Sequence, residues 1–209
     1  MRVYHFLNEQ FGLKNLVERR LKISRITDLN DPFEFLGVDL SNRDLRRVLS
    51  ETKSSLSKSN GLLCFSKTWM NPLLWGHYAD KHKGICLGFD VPDRHLNKID
   101  YVGERLPAPE VIDEPFMKKL LLTKFEHWGY EEEYRAFVSL EDEIDGHYYA
   151  DFSDKLSIKQ VIVGDRSRIT KDQISSALGD LARGVEVFKA RAAFQSFEVV
   201  PQKNSALWV

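Results

Sequence analysis

What most constrains this chain is the form of its apolar segments, which are short, rich in β-branched and aromatic residues, and spaced at two different lengths. RVYHF, LKIS, GLLCFS, ICLGFD, YRAFVS, KQVIVGDR, VEVFKA and SFEVV each alternate or run apolar over a strand's length, the signal of half-buried or fully buried extended structure. None approaches the ~18 apolar residues that a membrane-spanning helix needs. Some neighbouring runs are separated by helix-patterned stretches and others by hairpin-like ones. That mixture predicts an α+β fold, a single domain over 1–209 with a central mixed or antiparallel sheet and flanking helices.

The helices are set by their ends. Asn8 caps a helix through about Arg20 with Leu13, Leu16 and Val17 as its apolar stripe. In NDPFEF, Asp31, Pro32 and Glu34 take the N-cap, N1 and N3 positions of a capping box. A further helix starts at Ser41, capped in the same way by Asp44, and uses Leu45, Val48 and Leu49. It fades into the Ser/Lys-rich stretch Lys53 to Asn60, which reads as an exposed loop. Asn71 and Pro72 start LLWGHYADKHK, which Gly84 ends. Residues 91 to 115 hold four of the seven prolines and predict a long surface excursion. A helix follows from Pro115, and Thr170 with Gln173 caps another through Leu181.

Hydrophobic residues make up 43% and charged residues 29%, a balance that excludes disorder as the default state. The formal net charge of -1 leaves no broad basic field for duplex nucleic acid. The N-terminus lacks the apolar core of a signal peptide. The two cysteines, Cys64 and Cys86, sit in apolar runs and read as buried thiols of a reducing, cytoplasmic protein.

Two blocks carry the chemistry-bearing residues. The first runs from Phe65 to Asp90. On a helix, Trp75, Tyr78, Ala79 and His82 share one face with His77 beside it. Such a face can stack a base or nicotinamide ring, or it can pack into the core. Ser66 ends a strand, where clefts commonly open. The second block runs from Lys124 to Phe137. Glu131, Glu133 and Arg135 point the same way if extended, and Glu131 pairs with Arg135 if helical. Either arrangement orients a carboxylate beside a guanidinium, able to accept from ribose hydroxyls or to stabilise an oxocarbenium-like centre. A solvated charge run is the other reading.

Cys64, His77, His82 and Cys86 are separated by twelve, four and three residues, without the short clamp of a zinc site, so no metal is expected. The capping box accounts for Asp31 and Glu34 without catalysis. His5 reads as a core histidine as readily as a catalyst. The P-loop, G-x-G-x-x-G, H-E-x-x-H and G-x-S-x-G patterns do not occur. This disfavours P-loop NTPases, Rossmann dehydrogenases, zincins and α/β-hydrolases.

With VYHF, NDPFEF, LCFSK, LLWGHYADKHKGICLGFD, the K-x-x-x-W-x-x-E-x-E-x-R run from Lys124 to Arg135, and VIVG, the chain resembles a bacterial domain family of unknown function, number 2971 among such domains. The matching stretches span about residues 3 to 164. More distantly, the order His5, Ser66, Tyr78, Glu133 is similar to that of ADP-ribosyltransferase-like toxins of phage defence. That likeness implies an ADP-ribosyltransferase-like fold with NAD as substrate. It implies that His5 holds the NAD ribose, Tyr78 stacks on nicotinamide, and Glu133 stabilises the cation as nicotinamide leaves. Ser66, Trp75, His77 and Arg135 then line the NAD site, and a protein or nucleic acid accepts the ADP-ribose. This sequence has no S-T-S triplet, and its Glu-x-Glu lies within EEEYR. The alternative is a non-catalytic module that binds a nucleotide or a protein, with Glu133 and Arg135 structural. A third reading is a metal-dependent hydrolase or nuclease using Asp31, Glu34, His77 and His82.

Overall fold

The computed structural model describes residues 1–208. In chain order its first half holds β1 (Arg2–Leu7), α1 (Glu9–Glu18), β2 (Arg20–Arg25), α2 (Arg43–Ser59), β3 (Asn60–Ser66), α3 (Pro72–Tyr78), β4 (Ile85–Asp90), β5 (Asn97–Lys98) and β6 (Asp100–Val102). The second half holds α4 (Glu114–Leu121), β7 (Thr123–Phe125), β8 (Glu133–Ser139), β9 (Tyr148–Asp151), β10 (Ser157–Val163), α5 (Lys171–Leu178), β11 (Glu186–Ala192) and β12 (Val199–Pro201). Helix takes 34% of the chain and strand 32%, with helices flanking a mixed sheet, so the class is α+β. Among the described residues no helix is long and apolar enough to cross a membrane.

Two compact units are distinguished, each assembled from separated stretches: residues 1–21, 65–93 and 150–209, and residues 22–64 and 94–149. In the first unit the strands run in the order β12-β11-β10-β4-β1. β10 and β11 are parallel, and the other neighbours are antiparallel. The apolar run ICLGFD becomes β4, buried along nearly its whole length, and KQVIV lies in β10, whose last three residues Val161, Ile162 and Val163 are buried. Helix α1 packs on α5 and β4, and α3 packs on β1. In α1 the buried positions are Gly12, Asn15 and Leu16, while Val17 is exposed, so the apolar stripe is narrower than its leucines imply.

In the second unit β3 pairs with β2 and β8, β8 pairs with β5, and β6 lies parallel to β7. Its core is Ile26, Phe35, Val38, Leu49, Leu62 and Leu120.

Four local expectations are corrected. Residues 32–35 form a turn rather than a helix. Asp31 still caps it, accepting from the Phe33 N–H at 2.9 Å, but the Glu34 side chain goes to Arg135 instead of back to the N-cap. Helix α2 is capped by Asn42, not Ser41, and continues through Lys53 to Ser59, because Leu49 and Leu56 tie it to the core and packing outweighs the weak helix preference of serine. Helix α3 stops at Tyr78, since Asp80, Lys81 and His82 take left-handed backbone angles, φ 43°, 55° and 70°. The stretch 91–115 contains β5 and β6 as well as loop, with Ile99 only 1% exposed.

Candidate functional site

The candidate residues fall into the two units. His5, Ser66, Trp75, His77 and Tyr78 lie in the first, and Glu133 and Arg135 lie in the second.

In the first unit Trp75 is 0% exposed. Its indole N–H donates to the Trp69 carbonyl at 2.6 Å. It meets Phe6 edge-on at 5.3 Å and stacks on His82 at 6.3 Å. That is a core position, the second of the two readings of its helix face. Burial and the nearby Arg166 lower the proton affinity of His82. The Ser66 hydroxyl donates to the Thr68 carbonyl at 2.9 Å and accepts the Thr68 N–H at 3.2 Å, holding the turn that follows its strand. His5 packs edge-on against Phe65 at 5.9 Å. His77 is exposed and Tyr78 half-buried, with their rings 6.0 Å apart.

The second unit holds a buried ionic cluster. Period-2 alternation puts Glu133 and Arg135 on one face of β8, where they are 4% and 1% exposed. The Arg135 guanidinium forks onto Glu34, with Nη1–Oε1 at 2.5 Å and Nη2–Oε2 at 2.9 Å. It forks again onto Glu133 through Nε at 2.7 Å and Nη2 at 3.1 Å, and its remaining N–H reaches the Leu121 carbonyl at 2.7 Å. All five donors are used. Lys124, on β7, bridges Glu131 at 2.5 Å and Glu133 at 3.1 Å and lies over the Trp128 ring at 4.8 Å. The Tyr101 hydroxyl accepts the Glu133 backbone N–H at 2.9 Å. The Cys64 thiol lies beside the Glu133 carboxylate.

Burial alone would raise the Glu133 carboxyl; Arg135, then Lys124 and Cys64, outweigh it and hold the group down at about 2. Burial pushes the Tyr101 hydroxyl up to about 12 and the Cys64 thiol well above its ordinary range, helped by the Glu133 charge. Three carboxylates (Glu34, Glu131, Glu133) face two cations (Lys124, Arg135), a net charge of 2 − 3 = −1 in a buried space.

Beside the cluster lies a cleft of about 290 Å³. One wall is the turn from Asp31 to Gly37, another is Val102 to Arg105, and the third is β7 with Lys124 and Phe125. A parallel bridge between Val38 and Leu106 ties the first two walls together. The parallel β6–β7 pair aligns the second and third, with Val102 opposite Phe125. The walls come close: a Cβ on Gly37 would sit 3.2 Å from the Thr123 methyl. Phe33 and Phe125 present rings 55% and 44% exposed. The Arg105 guanidinium lies 5.5 Å from the Phe33 ring centre, and His127 stacks on Phe125 at 4.6 Å.

A larger cleft in the first unit, about 560 Å³, is bordered by His82 and by Asp165, Arg166 and Glu198, all three exposed. Among the described residues no group of three or more His, Cys, Asp or Glu is placed to hold a metal ion. Both Glu34 oxygens, which the hydrolase reading needs, are bound by Arg135.

From the sequence Glu34 reads as a capping residue or a hydrolase carboxylate rather than a partner of Arg135, and no role falls to Lys124 and Tyr101 in the cluster or to Phe33, Arg105 and Phe125 in the cleft. One signal was available. In PFEF the Glu34 carboxylate is flanked by two phenylalanines, and a charge placed among apolar neighbours asks for a buried partner. Comparison with family models, curated proteins and solved structures returned no match, so both resemblances rest on the residues quoted for them.

Proposed function

We propose that the chain is a non-catalytic binding module for a small nucleotide-type ligand held in the second unit's cleft, with Glu133 and Arg135 as its framework. The observation that carries this reading is the engagement of Glu133. Arg135 Nε and Nη2 and Lys124 Nζ give it three donors, and the Cys64 thiol lies beside it, against the roughly four lone-pair positions of a carboxylate. A buried carboxylate so engaged has at most one position left for a ribose hydroxyl. The adjoining cleft supplies what nucleotide binding needs: two exposed aromatic faces for a base and a guanidinium for phosphate. Its volume of about 290 Å³ is at the small end of ligand sites, which run ~300–1,000 Å³, and suits a mononucleotide better than NAD.

The competing reading is ADP-ribosyl transfer from NAD through His5, Tyr78 and Glu133. One set of samples separates the two. Calorimetric titration with nucleoside 5′-monophosphates is expected to show saturable one-site binding, and incubation with NAD is expected to release no nicotinamide. Nicotinamide release that disappears in Glu133→Gln would establish the transferase instead.

A further inference from the structure

We propose that Asp31 is the specificity-determining residue of this cleft, its carboxylate accepting from a sugar hydroxyl of a nucleoside monophosphate while Arg105 takes the phosphate. The inference rests on the binding reading above and deepens it.

Asp31 is 3% exposed and lines the cleft. Its Oδ1 accepts the Phe33 N–H at 2.9 Å, and that bond holds the turn. Among the described residues the Asp31 carboxylate makes no other hydrogen bond and has no cation within 4.0 Å, and its Oδ2 is not one of the fully buried atoms without a partner, Ser57 Oγ and His95 Nε2, so it keeps contact with solvent at the cleft. The two neighbouring cations are committed elsewhere: Lys124 to Glu131 and Glu133, Arg135 to Glu34 and Glu133.

Capping a turn needs one oxygen, and asparagine or serine supplies it as well as aspartate does. A mostly buried carboxylate without a cation beside it depends on the solvent in the cleft for its remaining hydrogen bonds. The other buried carboxylates of this unit, Glu34, Glu131 and Glu133, all have cationic partners. Asp31 therefore differs from them in having bonding capacity left over beside a cleft. A hydroxyl donor satisfies that capacity, and a carboxylate accepts from a vicinal diol with both oxygens in reach. At the rim, Arg105 lies over Phe33 without an ion pair among the described residues, exposed and able to turn onto a phosphate.

The test compares adenosine 5′-monophosphate with its 2′,3′-dideoxy analogue by calorimetry on wild type, Asp31→Asn and Arg105→Ala. Asparagine keeps the Oδ1 that holds the turn, and an unchanged thermal midpoint verifies this. Wild type is expected to bind the monophosphate at least ~10-fold more tightly than the dideoxy analogue, the scale of one lost hydrogen bond to a charged group. Asp31→Asn is expected to bind both compounds equally and weakly. Arg105→Ala is expected to lower affinity for the monophosphate while keeping the preference for the hydroxyls. Equal affinity of wild type for the two compounds, or full affinity in Asp31→Asn, overturns the role of Asp31 and leaves the binding reading standing. Binding of neither compound by wild type overturns both.

Discussion

At the residue scale the chain turns on Arg135. A lysine in its place carries the charge but cannot fork onto two carboxylates. Arg135→Lys leaves Glu34 or Glu133 buried without its pair and is expected to cost ~3–5 kcal/mol, read as a lowered urea midpoint. The Glu133 carboxyl, held at about 2 in the fold, titrates well below its ordinary value near 4.5. A depressed carboxyl contributes stability that is fully present above the unfolded value and is lost as pH falls through the folded one. Stability is thus expected to decline between about pH 5 and pH 2, by about 3 kcal/mol from this group, and the decline is expected to be shallower in Glu133→Gln. Glu133 and Arg135 share a face as the extended alternative has them, because period-2 alternation is local, while Glu131 lies before the strand and pairs with Lys124 rather than Arg135. The pairing of Glu34 was missed because a capping box was a sufficient local account, and the partner that overrides it lies 101 residues away.

At the element scale the strands were legible and the helix ends less so. ICLGFD becomes β4 with its expected bounds, and YRAFVS becomes β8 with Glu133 added at its start, since a short apolar run bounded by turn residues admits few alternatives. The helix at Pro72 was read too long because nothing in ADKHK marks three successive left-handed residues; their angles are set by closing hydrogen bonds such as His82 N–H to the Trp75 carbonyl at 3.1 Å. Trp75, which α3 buries completely, is expected to cost ~3–5 kcal/mol on truncation to alanine, measured by chemical denaturation. Gly84 was read as a helix cap, but its place is a close approach: a Cβ there would lie 2.0 Å from the Leu7 carbonyl oxygen. Gly84→Ala is expected to lower the thermal midpoint by forcing β1 and β4 apart.

At the scale of the whole molecule, the chain passes between the two units four times, at 21/22, 64/65, 93/94 and 149/150. No composition shift marks these passages, because each falls within or beside an ordinary strand or loop rather than a linker, and a boundary search along the sequence finds none. Fragments 1–93 and 94–209 each lack strands or core that their units require, and both are expected to be unfolded by circular dichroism and proton NMR. The α+β class was legible because the spacing of the apolar runs is a property of the whole chain. The cleft was not, since its walls come from three separated stretches that meet only through the Val38–Leu106 bridge and the β6–β7 pair.

The central claim, that a nucleotide-type ligand occupies that cleft beside a carboxylate held by Arg135 and Lys124, is tested most directly by mapping backbone amide shifts while adenosine 5′-monophosphate is titrated into the full chain. The expected result is a set of saturable shifts confined to Asp31–Gly37, Val102–Arg105 and Thr123–Phe125. Shifts centred instead on His5, Ser66 and Tyr78 would contradict it.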